Sequence, residues 1–185
     1  MKKICLIMAV LSALHGCYLP RHPATQFRKM TEATGGARAR MRVVSEQLVR
    51  ATPGRDCMDW KNPASGVALG GQPGAMGSTG YRGRVIAGMP DPRLRRKGKS
   101  FAEFYLRADE PVTLMMTPDP SKACALAITF VPEAGHDYEY VVSLDRVEPD
   151  MTEKEKKERC GAMVMDISGG NLNPVEIRET FACAK

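Results

Sequence analysis

The clearest signal along the chain is the two-residue alternation of apolar and polar positions in its C-terminal half. In "CALAITFV", Cys124, Leu126, Ile128 and Phe130 share one parity. In "DYEYVVSLD", Tyr138, Tyr140, Val142 and Leu144 do the same, and "PEAGH" between the two runs supplies Pro132 and Gly135 as turn residues, so together they predict a hairpin. "MVMDI" puts Met163, Met165 and Ile167 inward, and "VEIRETF", after the turn "SGGNLNP", puts Val175, Ile177 and Phe181 inward. The expected outcome is a four-strand antiparallel meander over 124–131, 137–145, 160–167 and 175–183. Upstream, "MRVVSEQLVRA", "YRGRVIAG", "FAEFYLRA" and "VTLMMT" predict further short strands. About eight short strands between Gly/Pro turns, with no long amphipathic helix, predict an all-β fold: an antiparallel β-sandwich or a small barrel.

Two segments fall outside this pattern. "EPDMTEKEKKERC", ending at Cys160, is rich in helix formers without an apolar stripe and reads as an exposed loop or a solvated helical turn. The glycine-rich stretch 65–83, "SGVALGGQPGAMGSTGYRG", reads as a long mobile loop, because glycine without periodicity buries too little surface to offset its backbone entropy. It lacks the Lys-Ser/Thr pair of a phosphate-binding loop.

The chain opens with Met1, Lys2 and Lys3 and an uncharged run from Ile4 to Leu14. That run is too short to span a bilayer, which takes about 20 apolar residues, and a basic start followed by a short apolar stretch describes a secretory signal peptide. Leu14-His15-Gly16-Cys17 resembles the lipobox of bacterial lipoproteins. The resemblance implies cleavage before Cys17, acylation of its thiol and anchorage in a lipid bilayer; His15 departs from the small residue usual there. Tyr18, in place of the Asp that retains such proteins in the inner membrane, implies the outer membrane. The expected organisation is a signal peptide over 1–16, a lipidated N-terminus and basic flexible linker over 17–42, and one β-rich domain over 43–185 facing the periplasm or the cell surface.

Of the six cysteines, Cys5 leaves with the signal peptide and Cys17 becomes the anchor, so Cys57, Cys124, Cys160 and Cys183 remain for two disulfides. Three connectivities are open. Cys183 shares the apolar parity of Val175, Ile177 and Phe181, whereas Cys160 lies opposite to Met163 and Met165, and directly paired residues share a face. Parity thus favours Cys124 with Cys160 and Cys57 with Cys183.

Charge and candidate chemistry change the picture little. The net charge of +6 would invite a nucleic-acid partner. The excess, however, lies before Val43, in Arg21, Arg28, Lys29, Arg38, Arg40 and Arg42, beside the anionic head groups that the anchor implies. No nucleic-acid partner is expected, and "RLRRKGK" (93–99) reads as a solvated loop. His136 reads as a polar cap of its turn, Trp60 as a core plug, and Met163 and Met165 as core packing rather than a soft-metal site. No catalytic motif, metal site or cofactor is expected. "FVPEAGHDYEY" and "PGRDCMDW" resemble stretches of small uncharacterised lipoproteins of Gram-negative bacteria, a resemblance that implies a fold and no mechanism. The expected function is that of a non-enzymatic envelope lipoprotein that binds another envelope protein. The alternative is a module that binds peptidoglycan or another glycan, or one that inhibits lysozyme-like enzymes.

Overall fold

The structure is a computed structural model that describes residues 24–70, 77–91, 99–117, 125–144 and 160–184. The described residues are all-β, with ten strands in two five-stranded sheets. The strands are β1 (Arg38–Ser45), β2 (Leu48–Pro53), β3 (Gly66–Leu69), β4 (Ser100–Arg107), β5 (Val112–Thr117), β6 (Leu126–Phe130), β7 (Asp137–Leu144), β8 (Cys160–Asp166), β9 (Asn173–Pro174) and β10 (Arg178–Glu179). One sheet runs β4-β1-β7-β8-β9 and the other β10-β6-β5-β2-β3, so the architecture is a sandwich and not a barrel.

The core lies between the sheets, where alternate residues point inward. Met41, Val43, Phe104, Leu106, Tyr140 and Val164 of the first sheet meet Val49, Leu69, Leu114, Met116, Ile128 and Phe130 of the second. Two tyrosines contribute aromatic contacts: Tyr81 against Phe104 at 5.5 Å and Tyr138 edge-on to Phe130 at 5.3 Å. The Tyr140 hydroxyl is the one buried side-chain polar atom without a hydrogen-bond partner among the described residues.

Several expectations need correction. The C-terminal meander does not form, because β6 and β7 belong to opposite sheets. The turn at 131–136 carries the chain across the sandwich, and β7 then pairs with β1 in parallel, Arg40 opposite Asp137 and Val43 opposite Tyr140. The sandwich is therefore mixed rather than purely antiparallel. The run 175–183 forms only the two-residue β10 and, just before it, β9, and Phe181 is exposed. In β8 it is Val164 that faces the core, opposite Tyr140, while Met163 points out. The segment "YRGRVIAG" is a strap and not a strand. Residues 24–42 are not a linker: Met30 is buried in the core, and β1 begins at Arg38.

The described parts of 65–83 are packed, also against expectation. Gly66 lies against the chain at Arg28, which leaves no room for a Cβ, and Gly80 (φ +65°) sits where a Cβ would strike the Ala68 carbonyl. Cys57 and Cys183 form a disulfide at a sequence separation of 126. It is the only disulfide among the described residues, where two were expected. Cys124 lies outside them, as does "EPDMTEKEKKER".

Candidate functional site

The outward face of β1 carries Arg38, Arg40 and Arg42, because Ala39, Met41 and Val43 take the inward parity. Register sets Arg42 between Glu103 of β4 and Glu139 of β7 in one cross-strand row. The Arg42 Nε donates to Glu103 at 2.7 Å, and its Nη1 donates to Glu139 at 2.9 Å. One row away, Arg40 forks onto Asp137 at 2.5 and 2.7 Å, a hydrogen bond that raises the Arg40 pKa above its ordinary value. The exposures of Arg42, Glu103 and Glu139 are 2, 1 and 0%. Charges buried this deeply are costly unless every donor and acceptor is met.

What buries them is the strap 82–91, and the same charges hold the strap down. The Ile86 N–H donates to the second oxygen of Glu103 at 2.5 Å. Arg42 Nη2 donates to the Pro90 carbonyl at 2.6 Å, and Arg40 Nη1 donates to that of Ala87 at 3.0 Å. Arg84 pairs with Glu32 at 2.5 Å, and Glu32 in turn accepts the Tyr105 N–H on the outer edge of β4. Between these anchors Val85 stands 68% exposed, while its neighbour Ile86 is buried. The arrangement is a buttressed loop, its peptide groups fixed from beneath and an apolar side chain presented at its summit.

A second group of titratable residues gathers where β1 and β7 begin and β8 ends. His136 Nδ1 lies 2.7 Å from Asp166, its Nε2 lies 3.6 Å from Glu133, and its ring stacks on Tyr138. The hydrogen bond to Asp166 raises the His136 pKa. Burial pushes the Asp166 carboxyl up, but hydrogen bonds from Ser168 and His136 outweigh it and hold that carboxyl below its ordinary value. With both ring nitrogens facing carboxylates, the pair stabilises an imidazolium. On one side of it lies a dish of about 370 Å³ with the Arg38 guanidinium over the Tyr105 ring at 4.4 Å. On the other side opens a cleft of about 660 Å³ bordered by Val131, Glu133, Asp166 and Ile177. Among the described residues, no group of three or more His, Cys, Asp or Glu side chains is placed to share a metal ion.

Trp60 lies on the outer face of the other sheet, half-buried against Arg50 with 5.7 Å from guanidinium to ring, so it is a surface plug rather than part of the core. Thr25 donates to its carbonyl.

The expected site residues are thus scattered. Cys17 and Cys124 lie outside the described residues, Cys160 opens β8 opposite Leu144, and Cys57 and Cys183 are joined. Reading the sequence as a tether missed Arg40 and Arg42 and their partners Glu103, Asp137 and Glu139. The signal was present in "ARARMRVV", whose alternation is that of a strand. No family model, curated protein or solved structure matches the chain.

Proposed function

We propose that this chain is a non-enzymatic envelope lipoprotein, acylated at Cys17 and held at the outer membrane, whose sandwich binds another envelope protein. The observation that carries the binding role is the buttressed strap. Buried Arg42 and Glu103, with half-buried Arg40, clamp a surface loop that presents exposed Val85. A loop fixed before association loses little conformational entropy on binding, which is where such rigidity contributes to affinity. Binding rather than catalysis is supported by His136, whose two nitrogens both face carboxylates. A glycan ligand would draw on Trp60 and on Phe181, which is 67% exposed. The small hollow beside them is lined, among the described residues, by Met58, Met115, Leu126 and alanines, with only the Trp60 indole N–H to meet sugar hydroxyls, so a protein partner is favoured.

A photo-crosslinking residue placed at position 85 of the full chain, expressed in its own cells, tests the binding role. A discrete protein adduct at 85 and none at the exposed control position 110 is expected; equal background at both positions counts against it. Cell-wall sedimentation should leave the domain in the supernatant. Cys17→Ser should abolish palmitate labelling and release the protein from the membrane fraction, since each buried methylene contributes about 0.8 kcal/mol; unchanged retention refutes the anchor.

A further inference from the structure

The C-terminal segment changes sheets, and the change leaves a gap. Residues 178–180 pair along β6, with Arg178 opposite Thr129 and the Thr180 N–H donating to Ala127 at 3.0 Å. Residues 173–175 pair along β8, with Asn173 opposite Asp166 and the Val175 N–H donating to Val164 at 2.9 Å. Two more residues of ladder against β6 would set Glu176 opposite Val131, but the chain has already swung across to the other sheet. Val131, 54% exposed, continues the edge-facing parity of Ala127 and Thr129, and its backbone pairs with nothing among the described residues.

The 660 Å³ cleft opens at this point. Its floor is the edge-to-face pair of Phe130 and Tyr138, and its walls include Val175 and Ile177. Its rim is acidic. Glu133 and Glu176 are exposed, Asp166 lies between beside His136, and the one Lys or Arg among the described lining residues, Arg178, is paired with Asp56 at 2.8 Å.

We propose that this cleft is a docking groove for an extended segment of a partner protein, one in which apolar residues are flanked by Lys or Arg. The segment adds as a short strand to the edge of β6 at Val131. An unpaired strand edge supplies main-chain hydrogen bonds, and side-chain pockets supply choice, as in other strand-addition sites. The apolar floor takes an aliphatic side chain, and the carboxylate rim selects cationic flanks over anionic ones. The groove is separate from the strap, so it does not rest on the role proposed for Val85.

The test is titration of the 15N-labelled domain with the blocked peptide acetyl-Lys-Val-Leu-Val-Lys-amide, beside acetyl-Glu-Val-Leu-Val-Glu-amide and a backbone N-methylated copy of the first. Saturable shifts of the Val131, Glu133 and Ile177 amides are expected with the basic peptide. Affinity should fall at least tenfold with either control, and as far in the double variant Glu133→Lys, Glu176→Lys, whose dispersed spectrum reports an intact fold. No saturable shift up to about 1 mM, a weaker limit than most specific contacts, overturns the proposal. So does equal binding of the acidic peptide, which removes the charge argument, or of the N-methylated peptide, which removes strand addition. Concentration-dependent shifts at Val131 without peptide would identify a second copy of this chain as the occupant and overturn it as well. The crosslink at position 85 is indifferent to all of these outcomes.

Discussion

Arg42→Met removes the donor at the centre of the buried row. The substitution preserves volume but withdraws the contacts to Glu103 at 2.7 Å, Glu139 at 2.9 Å and Pro90 at 2.6 Å. Two carboxylates, 1 and 0% exposed, then lose the guanidinium that bonds both. Breaking a buried ion pair from one side costs about 3–5 kcal/mol, against about 5–15 kcal/mol for a whole domain. With a urea slope of about 2 kcal/mol per molar, the unfolding midpoint should fall by about 1.5–2.5 M. Trp60, the only tryptophan, reports the transition by fluorescence. The companion variant Arg42→Met, Glu103→Leu, Glu139→Met removes all three charges, and most of the lost stability should return, because well-packed apolar groups replace such networks at little cost. What should not return is the clamp on the strap, so hydrogen exchange at the Ile86 amide should quicken in the triple variant. A single substitution costing under about 1 kcal/mol, or unchanged Ile86 exchange in the triple variant, would refute the reasoning.

Tyr140→Phe should stabilise the domain by about 1 kcal/mol, because it deletes a buried hydroxyl that has no partner; a loss in thermal unfolding would reveal a bond to it. Cys183→Ser should cost about 5 kcal/mol in the chain-entropy picture for a sequence separation of 126, read as a lower melting temperature under non-reducing conditions. The His136 pair sets a pH window. A raised histidine pKa contributes stability below about 6.5 that disappears as pH rises through the folded value. The depressed Asp166 contributes stability above about pH 4 that is lost as pH falls through its folded value. The melting temperature should therefore decline as pH rises past the histidine range, and His136→Gln should flatten that decline; an unaltered slope would discount the pair.

Much of the strand content was legible, and its partners were not. "VTLMMT" is β5 from end to end, and Tyr138, Tyr140 and Val142 point inward as their parity requires. Pairing failed at the turn 131–136 because the polar parity of β7, Asp137 and Glu139, looked like a solvent face and is instead buried and paired with Arg40 and Arg42. A strand buried on both faces belongs in the middle of a sheet, and β7 lies there, between β1 and β8. In β8 the run "AMVM" is apolar on both parities, so only the neighbour at Tyr140 decides that Val164 faces in. The arginines of β1 failed for a different reason, since charge density suggested a tether while their carboxylate partners lay 61 and 97 residues away in sequence. His136 was visible as a candidate; Asp166, 30 residues on, was not visible as its partner.

The parallel contact of β1 with β7 also sets the order in which the molecule can be built. As the chain emerges N-terminus first, β1 appears early with three arginines on one side, and its parallel partner appears only after about a hundred further residues, at Asp137–Leu144. The pairs β5–β6 and β7–β8 join near neighbours and have no such wait. Long-range pairing of this kind slows folding and prolongs the time for which an apolar strand face lacks its neighbours. Cys57 waits longer still, since Cys183 follows it by 126 positions, and Cys124 and Cys160 are both made before it. Until Cys183 arrives, every disulfide that Cys57 can form is the wrong one.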